Sequence, residues 1–375
     1  MPYLDFGWRQ SEVKKVKLAK QKRAWDRTLF ILTLVLTLLG LVAVADASAP
    51  QALNSFGDKY YFVKQQIVWG GIGLFGLMVA ANIHYSFWEK LALPLFIVSL
   101  IGLVIVLIPG IGLSALGARR WIIIGPISVQ PSEIVKLTLV IYFAKLFAKK
   151  KSTLSYFIPL LIVLGLIMLQ PDLGTALIVA VTGMVQIFIS GIGMFTFIQA
   201  LLAGGLLTFL LTITSDYRRE RLITFFTQTN DPLGKSYHIR QILLALGSGG
   251  LLGVGLGASR QKYLFLPEAA TDSIFAVIAE EIGFIGAMFI LSLFAAFIFH
   301  AFKISKNAPN SFAKLLGLGI TVWIGGQIFL NVASMVALVP LTGIPLPFFS
   351  YGGSALTMVL IGAGILLNIS KYAKS

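Results

Sequence analysis

Long apolar runs recur along this chain, and their length constrains the fold more than any other feature. About ten runs approach a length of about twenty residues, which an α-helix needs to cross the roughly 30 Å hydrocarbon core of a bilayer. Polar and apolar residues do not alternate in ten-residue segments, which excludes a membrane β-barrel. Of 375 residues, 57% are hydrophobic and only 12% are charged, unlike a soluble domain. The sequence therefore predicts an all-α integral membrane protein.

The apolar runs predict ten transmembrane helices and three parts of the chain. A basic tail covers residues 1–27, a single polytopic domain covers 28–370, and a short tail covers 371–375. The predicted spans are residues 28–46, 61–82, 91–110, 131–148, 154–170, 172–190, 194–214, 272–302, 313–336 and 353–370. Because the number of spans is even, the C-terminus returns to the side of the N-terminus.

Basic residues predict which side of the membrane this is. Lys and Arg are frequent in the N-terminal tail, and Lys145, Lys149, Lys303 and Lys306 fall on the same side in the ten-span arrangement. Short segments rich in Lys and Arg usually stay in the cytoplasm. Both termini are therefore predicted to be cytoplasmic. We attribute the net charge of +15 to this bias and to anionic lipids, and not to nucleic acid.

One long connection, residues 215–271, joins spans seven and eight and is predicted to be extracytoplasmic. A connection of this length in a compact protein usually has a function. Its apolar, glycine-rich part from Ile242 to Gly257 is too short to span, so we expect it to lie along the membrane or dip into it. No strand precedes these glycines and no Gly-Lys-Ser/Thr follows, which disfavours a nucleotide-binding loop. Close packing of backbone against helices is the favoured interpretation.

Cysteine is absent from the chain and histidine is rare, with three residues. Disulfides, zinc–thiolate sites and cysteine nucleophiles are therefore excluded. The histidines are scattered along the sequence, so they do not indicate a metal site.

Asp272 is the main candidate for acid–base chemistry. It ends a charged loop that begins at Arg260 and stands at the start of span eight, where water gives way to lipid. The proton affinity of an acid at such a border can be raised, and a substrate hydroxyl can reach it. The alternative is that Asp272 only caps its helix. Glu280 and Glu281 lie about 12 to 14 Å further along the helix and face other directions, so we interpret them as supporting groups.

Basic residues near the predicted outer side are candidates for binding an anion. Glu133 and Lys136 are three residues apart at the start of span four, so they share a helix face and can pair, for structure or for function. Arg120 is either an interfacial anchor or part of an anion site. An outward-facing set of Arg120, Lys136, Arg260 and Lys262 would suit a pyrophosphate, because guanidinium and ammonium groups neutralise phosphate oxygens.

Several motifs, in order along the chain, resemble those of one family. They are Gly117-Ala-Arg-Arg-Trp121, Gln130-Pro-Ser-Glu133, Gln170-Pro-Asp-Leu-Gly-Thr175, Leu266-Pro-Glu-Ala-Ala-Thr-Asp272 and Pro345-Leu-Pro-Phe-Phe-Ser-Tyr-Gly-Gly-Ser354. Together they are similar to the signature of the SEDS family (shape, elongation, division and sporulation), and the resemblance covers nearly all of the chain after residue 27. Other segments, such as Asp231-Pro-Leu-Gly234, are more similar to its division branch (FtsW) than to its elongation branch (RodA).

The resemblance implies a peptidoglycan glycosyltransferase of the bacterial cytoplasmic (inner) membrane. Such a protein polymerises lipid II onto a polyprenyl-pyrophosphate-linked glycan, with inversion at carbon, and works with a class B penicillin-binding protein and other divisome or elongasome proteins. Asp272 would be the general base. Mg²⁺ or Mn²⁺ could assist without being an obligatory cofactor, and its ligands are unknown. The implied substrate-binding residues are Arg120, Glu133, Lys136, Arg260, Lys262, Glu268 and Ser350.

The chain departs from the family beside the candidate base. The family usually has His before the Thr-Asp pair and Phe after it, whereas this chain has Ala270 and Ser273. We therefore expect burial and Arg or Lys, and not a histidine beside it, to tune Asp272. His238 stands where the family often has glutamine, and the sequence alone gives this change no consequence.

Two other functions remain as alternatives. A transporter that flips lipid II also fits ten spans with intramembrane charges, but the sequence shows no inverted repeat of paired broken helices. The candidate residues also cluster on one predicted side, which favours polymerisation. A non-catalytic scaffold for a penicillin-binding protein would need its surface but not Asp272.

Overall fold

The structure is a computed structural model that describes residues 24–115, 118–125, 127–148, 154–213 and 236–374. Predictions that concern residues 1–23, including most of the basic tail, lie outside the described residues. So do those for residues 214–235 of the long connection, and for the lysines at 149–151.

The described residues form eleven helices and three strands. They are α1 (Arg27–Phe56), α2 (Tyr61–Asn82), α3 (Ser86–Ile105), β1 (Gly112–Ala115), β2 (Ala118–Ile124), β3 (Ile127–Val129), α4 (Pro131–Ala148), α5 (Leu154–Leu169), α6 (Leu173–Ile189), α7 (Met194–Ile213), α8 (Tyr237–Gly249), α9 (Ile274–Lys306), α10 (Ser311–Met335) and α11 (Gly353–Ser370). All of the helices except α8 coincide with predicted spans, and α8 lies in the long connection.

Six helices of the described chain are long and apolar enough to cross a membrane: α1, α2, α3, α9, α10 and α11. Three shorter apolar helices fall within α5, α6 and α7. The remaining predicted span, α4, is almost entirely buried among the other helices although it carries Glu133, Lys136 and Lys145. The protein is thus a helical membrane protein whose most polar span is shielded from lipid.

The ends of the described chain lie together at one end of the helix bundle. The Asp26 N–H donates to Ser370 Oγ at 2.9 Å, and the Lys374 N–H donates to the Asn307 carbonyl at 2.8 Å. The connections α3–α4 and α5–α6 and the start of α9 meet at the opposite end, which we call the cavity end. This arrangement fits an even number of crossings.

A small antiparallel sheet at the cavity end corrects the prediction of an all-α chain. Its strand order is β1-β2-β3, and Ile122 pairs with Val129. The run of isoleucines from Ile122 to Ile124 favours a strand, because β-branched side chains fit a pleated surface. In an apolar sequence such a short run is easily taken for the flank of a span. The sheet carries Arg120 to the cavity end.

Helix α9 is interrupted at Gly283, and the glycine-rich part of the long connection fills the break. Gly283 has φ 69° and ψ −174°, so the helix opens between its two halves. The freed Glu280 and Glu281 carbonyls accept from the Val254 and Gly255 N–H groups, both at 3.0 Å. A Cβ at Gly253 would overlap the Glu281 carbonyl. The predicted close packing is confirmed at Gly249 and Gly253, and the hydrogen bonds to the broken helix satisfy backbone groups that would otherwise face an apolar environment.

Candidate active site

The segment before α9 is held by hydrogen bonds to three consecutive backbone carbonyls. The Tyr351 N–H donates to the Ala270 carbonyl at 2.8 Å. Ser350 Oγ donates to the Thr271 carbonyl at 2.6 Å. Asn331 Nδ2 donates to the Asp272 carbonyl at 2.8 Å. Asp272 therefore stands on a backbone that has little freedom to move.

These donors belong to the α10–α11 connection and to the helix that leads into it. Ser350 Oγ also accepts from the Leu346 N–H at 2.7 Å, and Asn331 also donates to the Ile344 carbonyl at 2.8 Å. The proline- and glycine-rich motif before α11 is thus folded onto the Asp272 segment. Ser350, predicted to bind substrate, holds that segment from behind and is not part of the cavity wall.

Asp272 opens onto a cavity of about 780 Å³ at the cavity end. The wall includes four of the predicted site residues, namely Asp272, Arg120, Glu133 and Glu268. Aromatic and polar groups complete it, among them Trp69, Trp121, Asp172, His238 and Tyr351. A Cβ on Gly343 would stand 3.3 Å from Asp272 Oδ2, so the bare glycine backbone leaves room for the carboxylate.

Asp272 is not the N-cap of α9. That position is Ser273, whose side chain makes no capping hydrogen bond. The capping alternative for Asp272 is therefore not supported, and its partly buried side chain faces the cavity.

Arg120 reaches from β2 to the tight turn between α5 and α6. Its guanidinium donates to the Gln170 carbonyl at 3.3 Å and to the Pro171 carbonyl, and lies 3.9 Å from Asp172 Oδ2. Asp172 in turn caps α6 by accepting from the Thr175 N–H at 3.1 Å. This turn fixes Arg120 at the cavity wall.

Glu133 and Lys136 form the predicted pair inside α4. Lys136 Nζ lies 2.7 Å from Glu133 Oε1, and both side chains are 2% exposed. Lys136 also donates to Gln327 Oε1 at 3.2 Å and lies over the Trp323 ring. Glu133 lines the cavity, and its buried Oε2 has no hydrogen-bond partner within the described parts of the chain. Lys136 is therefore not outward-facing as predicted, because it is shielded behind Glu133.

Lys262, predicted to bind substrate, is not part of the cavity wall and is not outward-facing. Its Nζ lies 2.7 Å from both Asp46 Oδ1 and Glu281 Oε1, and the side chain is 4% exposed. Burial acts to lower the pKa of Lys262, but the hydrogen bonds to Asp46 and Glu281 outweigh it and raise that pKa above the usual value. The ammonium group thus forms ion pairs with Asp46 of α1 and Glu281 of α9 and links the two helices.

Arg260 is exposed, lies outside the cavity wall and belongs to the same loop as Lys262. Its N–H donates to Glu280 Oε1 at 3.1 Å, and Ser259 Oγ donates to Glu280 Oε2 at 2.5 Å. Glu281 accepts from the N–H groups of Gly257 and Ser259. The two glutamates hold this loop, in agreement with the supporting role predicted for them. The predicted outward-facing set of four cations is wrong, because Lys136 and Lys262 are buried.

His238 and Asp172 line the cavity but were not among the predicted site residues. His238 Nε2 lies 2.8 Å from the hydroxyl of Ser273, the residue after Asp272. α8 thus brings a histidine, from 35 residues away in sequence, to the residue that follows Asp272, whereas the sequence prediction considered only a histidine directly beside Asp272. The available signals were the unusual residues at 238 and 273, and the position of Asp172 inside a family motif.

The family model of the FtsW, RodA and SpoVE cell cycle proteins matches residues 26–375. The chain belongs to this family. Stage V sporulation protein E of Bacillus subtilis (strain 168) is 39% identical over 367 residues, which cover 95% of this chain and all of that protein. The probable peptidoglycan glycosyltransferase FtsW of Trichlorobacter lovleyi is 39% identical over 358 residues, covering 93% of this chain and 94% of that protein.

Solved structures show the same fold in this family. A chain from the work "Structural coordination of polymerization and crosslinking by a peptidoglycan synthase complex" has a TM-score of 0.76 and 29% identity, covering 92% of this chain and 98% of that chain. The rod shape determining protein RodA of Thermus thermophilus has a TM-score of 0.69 and 28% identity, with 94% and 98% coverage. The helical arrangement described above is therefore that of the family.

Proposed function

We propose that this protein is a peptidoglycan glycosyltransferase of the bacterial inner membrane that polymerises lipid II, with Asp272 as general base. The observation that carries the proposal is the clamped Asp272 segment at the wall of a cavity of about 780 Å³ that also contains Arg120. The names of the relatives support the reaction class, because one of them is a probable peptidoglycan glycosyltransferase.

In the proposed reaction the growing strand is the donor, and its reducing end is linked to a polyprenyl pyrophosphate. The 4-hydroxyl of the incoming lipid II attacks the anomeric carbon, and Asp272 takes the proton of that hydroxyl. The bond to the pyrophosphate breaks as the new glycosidic bond forms, so a single displacement inverts the carbon. The partly buried carboxylate at the cavity wall suits a base that must reach a sugar hydroxyl.

The leaving pyrophosphate is assigned to the Arg120 side of the cavity. Guanidinium groups neutralise phosphate oxygens, and Arg120 is held in place by the α5–α6 turn. Lys136 contributes indirectly, because it holds Glu133 at the wall. Arg260 and Lys262 have no part in this site.

A divalent cation fits this cavity only together with the substrate. No group of three or more His, Asp or Glu in the described chain could hold a metal ion. Asp172 and Glu268 nevertheless line the wall as single carboxylates beside the proposed base. Mg²⁺ is commonly held by one or two carboxylates plus substrate phosphates, and would neutralise pyrophosphate charge there. We therefore propose that Asp172 or Glu268, together with the phosphates of the substrate, would hold Mg²⁺ or Mn²⁺, which would supply positive charge to the pyrophosphate.

The proposed membrane arrangement has ten spans, namely all described helices except α8, with both termini in the cytoplasm. The two described chain ends share one end of the bundle, and the cavity is at the other. The cavity therefore faces the outer side, where lipid-linked sugars are polymerised. Lys303, Lys306 and Lys371 at the other end agree with this orientation.

The proposed partner is a class B penicillin-binding protein, with other divisome or elongasome proteins in the same complex. One structural relative comes from a peptidoglycan synthase complex, which supports a partner of this kind. The SpoVE and FtsW relatives favour a role in division or sporulation over elongation.

The second candidate is a lipid II flippase, since polar groups inside a helical bundle also suit transport. A liposome assay with fluorescent lipid II decides between the two functions, using the purified protein with its partner and, in parallel, the Asp272→Asn variant. We expect glycan chains from the wild type, none from the variant, and no transfer of lipid II between leaflets. Transfer without glycan product would replace the proposal by the flippase.

A further inference from the structure

His238 makes a specific contact at the residue that follows the candidate base. It is the second residue of α8, lines the cavity, and places its Nε2 2.8 Å from Ser273 Oγ. Ser273 is completely buried and occupies the N-cap position of α9. A serine at that position ordinarily accepts a hydrogen bond from a backbone N–H of the first helical turn. Here the hydroxyl makes no such bond and is used for the imidazole.

The His238–Ser273 contact lies at one end of the interface between α8 and α9. Further along α8, Ile239, Ile242 and Ala245 are buried, and a Cβ on Gly249 would overlap the Ala279 carbonyl. The apolar face of α8 is thus fixed on α9 by close packing. His238 and Ser273 provide the polar contact at the end nearest to Asp272.

Histidine is the side chain whose ordinary titration falls between about pH 5 and 8. A neutral His238 can either donate to or accept from the Ser273 hydroxyl, depending on its tautomer. A protonated His238 donates to Ser273 and adds a positive charge to the cavity. The other titratable and charged side chains of the wall are Arg120, Glu133, Asp172, Glu268, Asp272 and Tyr351. On the neighbouring helices, Arg240 is exposed and Glu280 is bonded to Ser248 and the 259–260 loop. Protonation of His238 therefore adds a positive charge to a wall rich in carboxylates.

We propose that His238 is a positioning residue for Asp272: through Ser273 it fixes the start of α9, and its own charge sets the pH range in which Asp272 accepts a proton. This inference rests on the proposed function of Asp272. A positive His238 stabilises the carboxylate and makes it a weaker base, and a neutral His238 leaves it stronger. The rate of polymerisation then rises with pH as His238 loses its proton.

Four variants separate positioning from charge. His238→Ala and Ser273→Ala each remove the contact, so we expect kcat to fall about tenfold while the KM for lipid II changes less than about twofold. The double variant should be no slower than either single one, because both remove the same interaction. His238→Gln keeps a hydrogen-bonding group without a titration, so it should retain activity near pH 8 and lose the rise with pH. His84→Gln is the matched control, and its pH profile should equal that of the wild type.

An activity-free measurement follows the same contact. The three histidines can be labelled with ¹⁵N in lipid nanodiscs and their imidazole signals assigned with His84→Gln, His238→Gln and His300→Gln. We expect Asp272→Asn to lower the titration midpoint of His238 by about half a pH unit or more, because it removes a negative charge from the same wall. An unchanged midpoint, additive losses in the double variant, or an unchanged kcat in His238→Ala would overturn the inference. Full polymerisation by Asp272→Asn would instead refute the proposed base.

Discussion

Asp272, just before α9, and the pair Glu280 and Glu281, inside α9, are acidic groups that differ in their surroundings. Glu280 and Glu281 are buried, and each accepts several hydrogen bonds from the 257–262 loop. Asp272, eight residues earlier, is only partly buried and opens onto a cavity. Its backbone is clamped, but its carboxylate is presented to a space that a substrate can enter. The two glutamates have the contacts of a structural element, and Asp272 has those of a reactive site.

The difference shows that charge near lipid is not by itself a sign of function. Lys262 was predicted to bind a pyrophosphate because ammonium groups neutralise phosphate oxygens. Its purpose is to pair with Asp46 and Glu281, which ties α1 to the broken helix α9. A charge whose contacts are complete inside the protein supports the fold. A charge on the cavity wall borders a space that a ligand can enter.

The largest effect is expected at Asp272. Asp272→Asn keeps the size of the side chain and the backbone bond from Asn331, but removes the base. Polymerisation should fall by about 10² to 10⁴-fold, the range for loss of a general base, while the melting temperature stays the same. Initial rates with fluorescent lipid II and thermal unfolding in detergent measure the two effects. Asp58→Asn, an exposed acid, is the control and should be as active as the wild type.

The next largest effect is on stability and concerns Lys262. Lys262→Met leaves Asp46 and Glu281 without their cation, and breaking a buried ion pair in this way costs about 3 to 5 kcal/mol. We expect a clearly lower melting temperature but an unchanged polymerisation rate per folded molecule. Lys64→Met removes an exposed pair and should not shift the melting temperature. Equal shifts of the melting temperature in Lys262→Met and Lys64→Met would contradict the distinction between the buried ion pair of Lys262 and the exposed pair of Lys64.

A smaller effect is expected when the clamp is loosened at Ser350. Ser350→Ala removes the bonds to the Thr271 carbonyl and from the Leu346 N–H. Leaving such buried groups unpaired costs about 1 to 3 kcal/mol. Because Asp272 also becomes less well placed, kcat should fall about tenfold. Ser292→Ala, at an exposed serine of α9, provides the control for rates and unfolding. A loss of stability with full kcat would show that the clamp does not position the base.

The smallest effect concerns Gly343, which leaves room for the carboxylate. Gly343 has φ 70°, and a Cβ there would stand 3.3 Å from Asp272 Oδ2. Gly343→Ala and the control Gly125→Ala, at φ 61° with no atom within 4 Å, should both lose about 1 to 2 kcal/mol through backbone strain. Only Gly343→Ala should reduce kcat, by a few fold. Steady-state kinetics beside unfolding curves test this, and matching rates for the two variants would contradict it.

The sequence predicts the helices well because a bilayer demands long apolar runs. Ten predicted spans coincide with helices, although α1 continues to Phe56 and α3 lies several residues earlier than its predicted span. The pair of Glu133 and Lys136 was predictable because both residues belong to one helix. The sheet was missed because its strands are short and apolar, like the flanks of a span.

Contacts between segments that are distant in sequence could not be predicted. The partners of Lys262 are 216 and 19 residues away, and periodicity within one helix carries no information about such pairs. His238 reaches Ser273 only because α8 folds back onto α9. The identity of the candidate base, in contrast, followed from its place at the start of a span and from the family motif. Whether it acts as the base stays a prediction.

The most direct test is a gel-based polymerisation assay with purified protein, the proposed class B penicillin-binding protein partner and fluorescent lipid II. Wild type, Asp272→Asn and Lys262→Met are compared at equal amounts of folded protein. We predict a ladder of glycan products for the wild type and for Lys262→Met, and none for Asp272→Asn. A ladder from Asp272→Asn equal to that of the wild type would contradict the claim that the acid of the cavity carries the reaction.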